Sequence, residues 1–196
     1  MNTQNELKRA KDSLARFERY LPMLQLKKRQ LLVESQRITR ELATVMHERD
    51  VQCREMQPWL GVLAEPGIEP YLQIEECQLT HENIAGISIP VFAELHFVEP
   101  ACDLFAEPLW LDQAIVAVRG LIALDYQVRV LELQRACITA ELETTSQRVN
   151  LFERVRIPHA REQIRRIRIY LGDRQTAAVV RGKFAKRKRI VAEGAS

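Results

Sequence analysis

The side chains able to do chemistry are few, and their spacing suits none of the usual reactions. His47, His81, His96 and His159 are scattered along the chain without metal-ligand spacing, so each reads as a surface or hairpin residue. Glu75 and Glu76 are adjacent in a stretch of strand character. Strand geometry sends them to opposite faces, which argues against a paired general acid and base. Gly182-Lys183 lacks the preceding glycine and the Ser or Thr that a phosphate-cradling loop requires. The acidic residues of the middle do not follow Ca²⁺-loop spacing and suit a docking surface for a basic partner better than a cation site. Cys53, Cys77, Cys102 and Cys137 form no C-x-x-C pair. They read as small apolar fillers in a reduced, cytoplasmic setting. No catalytic residue, metal ligand or cofactor is expected.

Charge, by contrast, is strongly organised. Between Arg54 and Arg119 there is no Lys or Arg, while ten carboxylates fall between Pro58 and Asp112. The net charge of +3 hides this polarity, because residues 1–57 carry +4, residues 58–112 carry −10 and residues 151–196 carry +9. Such asymmetry concerns partners rather than fold. The run from Arg181 to Arg189 has charge enough for nucleic acid or an anionic membrane. Phe184 is its one candidate for base stacking, so it reads first as a solvated or partner-facing tail. Lys28 and Arg29 fit plain solvated charges.

Two long helices must carry these charges. Thr3-Gln4-Asn5-Glu6 matches a capping box. From there apolar residues recur at three- and four-residue steps, including Leu14, Phe17, Leu24, Leu31 and Ile38. Continued to residue 57, that helix would be roughly 80 Å long at 1.5 Å per residue, with Pro22 removing one backbone bond inside it. Periodicity resumes near Asp112 and places Leu142, Val149 and Phe152 in one heptad frame. The frame then slips by one residue before Ile157, Ile164 and Ile167, and Pro158 falls at the slip. These eleven residues are the expected helix-pair core.

Six prolines interrupt the middle. Residues 71–79 and 84–92 read as strands of a small hairpin joined by Thr80-His81-Glu82-Asn83. Gly86 supplies a kink and Pro90 blunts an exposed edge. The predicted fold is mainly α, a long antiparallel two-helix coiled coil with a β-hairpin in a small middle region. Its parts are a helix over 1–57, an acidic knob over 58–111, a helix over 112–190 and a tail over 191–196, all in one extended domain. The polar N-terminus reads as no signal peptide, and no run of about 18 apolar residues spans a bilayer. On the residues alone, three functional classes fit: a shaft, a coiled-coil scaffold self-associating through the seam, and a nucleic-acid binder using its basic end.

Three separated stretches resemble one family. Residues Arg148 to Pro158 (RVNLFERVRIP) look like the R-V-N-x-L-E-x-x-x-I-P signature of the D subunit of V/A-type (vacuolar/archaeal-type) rotary ATPases, bacterial branch. Leu151 and Phe152 stand where the family has a small residue and then Leu. Leu24 to Leu32 resembles the L-x-L-K-K-x-x-L-x stretch, and Asn83 to Pro90 the N-I-x-G-[VI]-x-[VI]-P hairpin. The resemblance implies a non-catalytic central-stalk rotor, cytoplasmic and tied to the membrane through its complex, without nucleic acid or membrane insertion. The implied partners are the catalytic and non-catalytic head subunits, the small F subunit of the stalk and the funnel-like subunit on the membrane rotor ring. Candidate partner-binding residues are Arg165, Arg166, Arg168, Lys183 and Lys186 at the basic end, and Asn83, Ile84, Gly86 and Pro90 on the hairpin.

Overall fold

The computed structural model describes residues 4–59, 61, 67–100, 108 and 110–193, without the side chains of Trp59 and residues 188–193. Thr3 and Cys102 lie outside the described residues. Helix α1 spans Gln4–Met56 and runs through Pro22 without a break, followed by a 3-10 turn, Gln57–Trp59. A second 3-10 turn, Glu69–Leu72, leads into strands β1 (Ile74–Ile84) and β2 (Ile87–Phe97). Helix α2 covers Leu111–Leu151, a π turn covers Phe152–Arg156, and helix α3 covers Ile157–Glu193. The chain divides into two compact units, residues 27–144 and residues 1–26 with 145–196.

Within the 27–144 unit, α1 and α2 run antiparallel. Lys27 pairs with Glu141 at 2.7 Å and Arg49 approaches Asp125 at 3.8 Å, so numbers rise along one helix as they fall along the other. Leu31, Ile38, Leu42 and Val45 of α1 share one core with Val128, Leu131 and Ile138 of α2. Ile89 of β2 joins that core with no exposed surface, and Ile84, Ala85 and Ile87 pack against it. At about 1.5–3 kcal/mol for each fully buried aliphatic side chain, this cluster outweighs the surface ion pairs around it. A smaller cluster gathers Ile68, Leu111 and Ala114, with Tyr71, Leu72 and Trp110 against them.

The hairpin differs from the sequence expectation in register. Thr80-His81-Glu82-Asn83 is not a turn but lies inside β1, paired with residues 88–91. The reversal falls at Ala85-Gly86, which separate the paired residues Ile84 and Ile87. Ala85 has φ +52° and Gly86 φ +83°, the positive-φ pair that a two-residue hairpin turn needs to match strand twist. Asn83 Oδ1 accepts from the Gly86 N–H at 3.0 Å and closes the turn. Gly86 therefore makes the turn instead of kinking a strand. The polar run Thr80–Asn83 is accommodated because β1 keeps those side chains exposed.

In the other unit, the start of α1 packs antiparallel to α3. Leu7 lies near Leu171, whereas Phe17 lies near Arg156. Among its described residues, Ala10, Thr145, Val149, Ile157, Ala160, Ile164 and Ile167 are buried. Val149 and Ile157 are both buried although eight residues apart. In a uniform α-helix, eight residues turn about 80° past the seam at 3.6 residues per turn. The π turn, in which the Ile157 N–H bonds to the Phe152 carbonyl, takes up the extra residue.

Candidate functional site

The candidate surface on the 27–144 unit is the hairpin, and the helices fix where it lies. Ile84 and Ile89 hold its inner face on the shared core. Gln134, itself 4% exposed, donates from Nε2 to the Pro90 carbonyl at 2.6 Å. Proline lacks an N–H but keeps an acceptor, and a buried acceptor without a partner is costly. Gln134 supplies that partner from α2. At the base of the hairpin, Arg119 donates from Nε to the Tyr71 carbonyl at 2.9 Å and from Nη2 to the Val98 carbonyl at 3.0 Å. Its guanidinium also lies 4.9 Å from the centre of the Phe97 ring. One arginine thus holds both ends of the hairpin against α2, stacking on the aromatic and satisfying two carbonyls at once.

Outward from this seating, the hairpin exposes Glu75, Glu76, Glu82 and Glu94. Near its tip, a shallow hollow is lined by Gln30, Glu34, Arg37, Glu82, Asn83, Ile84 and Ala85. Arg37 donates to Glu34 at 2.8 Å and to Glu41 at 3.0 Å. The Glu34 carboxylate, with Glu41 and Glu82, raises the guanidinium above its ordinary pKa. Such an exposed, mostly acidic strip has the chemistry to meet a basic surface. Asn83, Ile84, Gly86 and Pro90 are together on this hairpin, but Ile84 packs against the core and the Pro90 carbonyl accepts from Gln134, so these two position it. Asn83 and Gly86 form its exposed tip.

On the other unit, α3 carries the basic candidates. Arg165, Arg166, Arg168, Lys183 and Lys186 are all exposed. Arg165 and Arg166 both engage Glu162, each with a nitrogen at 2.9 Å from a carboxylate oxygen. Hydrogen bonds from Arg165 first, then Arg166, lower the Glu162 carboxyl to about 2. Arg168 instead borders a cleft of about 460 Å³ shared with Lys8, Lys11 and Asp12 of α1. Arg161 crosses to Glu18 at 2.8 Å. Of the expected core residues, Leu31, Ile38, Val149, Ile157, Ile164 and Ile167 are buried, and Leu14, Phe17, Leu24, Leu142 and Phe152 are half-buried. Phe17 and Phe152 meet edge to face at 5.3 Å.

Gln134, Arg119 and Glu162 were not among the residues expected from sequence. A lone glutamine within an apolar helical face, and the first arginine after a long stretch without cations, were the available signals. Among the described residues, no group of three or more His, Cys, Asp or Glu could hold a metal ion. No described helix is long and apolar enough to cross a membrane.

Comparison with known proteins places this geometry. Residues 6–187 match the model of the family described as the D subunit of ATP synthase. The V-type ATP synthase D subunit of Borreliella burgdorferi is 40% identical over 185 residues, covering 94% of this chain and 92% of that protein. The protein of the same name from Chlamydia caviae is 30% identical over 190 residues, 95% of this chain and 91% of its own length. That of Chlamydia trachomatis serovar L2 is 29% identical over 191 residues, 95% and 94% of the two chains. With paired long helices, a central hairpin and likeness along nearly its whole length, the chain belongs to the family of ATP synthase D subunits.

Proposed function

We propose that this chain is the central-stalk rotor subunit of a V/A-type ATPase or ATP synthase. It transmits torque between a head that handles ATP and an ion-translocating ring, and carries no catalytic residues of its own. The observation that carries this reading is the match of residues 6–187 to the family, shared with relatives named as the D subunit of V-type ATP synthase. The physical properties of the helices support it. A torque-bearing element must resist twisting, and α1 supplies 53 residues of helix without an intervening loop.

Its partners in this reading are the catalytic and non-catalytic head subunits, the small F subunit of the stalk and the funnel-like subunit on the rotor ring. The chain sits on the cytoplasmic side and reaches the membrane through the complex. Arg168, Lys183 and Lys186, exposed along α3, face acidic surfaces of the head, with Arg165 and Arg166 beside them. Asn83 and Gly86 at the hairpin tip, seated by Ile84 and Pro90, meet a stalk or head partner. Dispersed charge of this kind gives similar affinity at several angular positions, as a moving contact requires.

Purification through a tag on this chain from its own cells tests the reading. The expected result is recovery of the head subunits in several copies for each copy of this chain, together with a small stalk protein. A stable homodimer lacking those subunits would overturn it.

A further inference from the structure

We propose that the Phe152–Arg156 π turn and Pro22 together form a compliant joint within the unit of residues 1–26 and 145–196, where its paired helices twist and bend in preference to their flanks. The proposal rests on the chain's own structure and does not depend on the rotary reading. Three backbone carbonyls here lack their α-helical donors. The Ile157 N–H goes to Phe152 instead of Glu153. Pro158 has no N–H for the Arg154 carbonyl, and Pro22 has none for the carbonyl of Glu18. Glu18 lies next to Phe17, whose ring touches Phe152, so the weakened stretches of the two helices adjoin each other.

Packing is thin at the same place. From Lys11 to Leu26, α1 has no fully buried residue, and neither does the stretch from Leu151 to Arg156. Beyond it, Ile157, Ala160, Ile164 and Ile167 are buried again. The edge-to-face ring pair and the exposed Arg161–Glu18 ion pair cross the joint. Both contacts survive small rotations better than interdigitated aliphatics do, since neither needs a close-packed fit.

The sequence holds the joint in place. Were the π turn lost and residues 157–193 left in a regular helix, the seam would receive Arg156, His159, Gln163 and Arg166 in place of Ile157, Ala160, Ile164 and Ile167. That arrangement would bury charge, so the extra residue stays where it is. The widened turn also gives the Pro158 ring room that a regular preceding turn would deny it.

Hydrogen exchange on the full chain tests the proposal. Amides of residues 153–157 are expected to exchange about tenfold or more faster than those of 160–167, as weakly packed helix does. In a second test, Val155 is deleted in a Pro158→Ala background, which sets Val149 and Ile157 seven residues apart and makes the seam continuous. This variant is expected to slow local exchange by about tenfold and to melt higher than Pro158→Ala alone. Equal exchange of 153–157 and 160–167 in the parent chain would overturn the joint. So would a deletion variant that melts lower than Pro158→Ala.

Discussion

Gln134 reaches from helix α2 to the carbonyl of Pro90 at 2.6 Å, tying the middle of β2 to the helix behind it. The bond joins two positions of opposite character. Proline is a residue that ladder hydrogen bonding cannot use fully, and the glutamine is a polar side chain sunk in an apolar face. Each resolves the other's difficulty, since the buried amide gains an acceptor and the carbonyl a donor.

Gln134→Leu keeps the size of the side chain but leaves the Pro90 carbonyl without that donor. The expected loss is about 1–3 kcal/mol of stability, read by urea denaturation. Faster amide exchange in β2 than in α2 would accompany it. Unchanged stability and exchange would mean that water replaces the amide without cost.

The turn gives a prediction with two signs. Gly86→Ala forces a Cβ into a backbone at φ +83° and is expected to cost about 1–2 kcal/mol. Ala85 already bears that strain at φ +52°, so Ala85→Gly is expected to be neutral or stabilising by up to about 1 kcal/mol. Thermal melts of both variants decide it. A destabilising Ala85→Gly together with a neutral Gly86→Ala would contradict the turn geometry.

Arg119 offers a test of the base of the hairpin. Arg119→Met preserves the apolar stem over Phe97 but removes the donors to Tyr71 and Val98. Hydrogen bonds from a charged donor contribute about 1.5–3 kcal/mol, and a loss of that order is expected in chemical denaturation. Arg119→Lys should recover little of it, because an ammonium cannot span two carbonyls as the planar fork does.

The Glu162 carboxyl titrates near 2 rather than at its ordinary 4.5, chiefly because Arg165 and then Arg166 donate to it. A lowered folded pKa means that these pairs are complete above about 4.5 and are lost as pH falls toward 2. Carbon-detected NMR of the side chain should follow that midpoint, and Arg165→Gln should move it upward. A midpoint at 4.5 in the unaltered protein would show that the pairs do not persist in solution.

Much of the helical architecture was legible because it is written locally. Three- and four-residue apolar spacing identifies Leu31, Ile38, Ile164 and Ile167 without knowledge of what they face. Even the one-residue slip before Ile157 could be read, since a seam is a counting device, although its realisation as a π turn is visible only in the fold. The hairpin was legible in kind but not in register. Polar Thr80–Asn83 has the composition of a turn, and only the positive φ at Ala85 and Gly86 shows where the chain reverses. Gln134 and Arg119 stayed hidden for another reason. Both act on backbone carbonyls 21 to 48 positions away, and a carbonyl carries no residue identity for a pattern to find.

Ile89 is a strand residue that shares its packing with both long helices at once. A push on Asn83 or Gly86 at the tip is therefore delivered sideways into α1 and α2 jointly, as a wedge loads both jaws of a vice. Whatever grips the hairpin from outside acquires leverage on both helices.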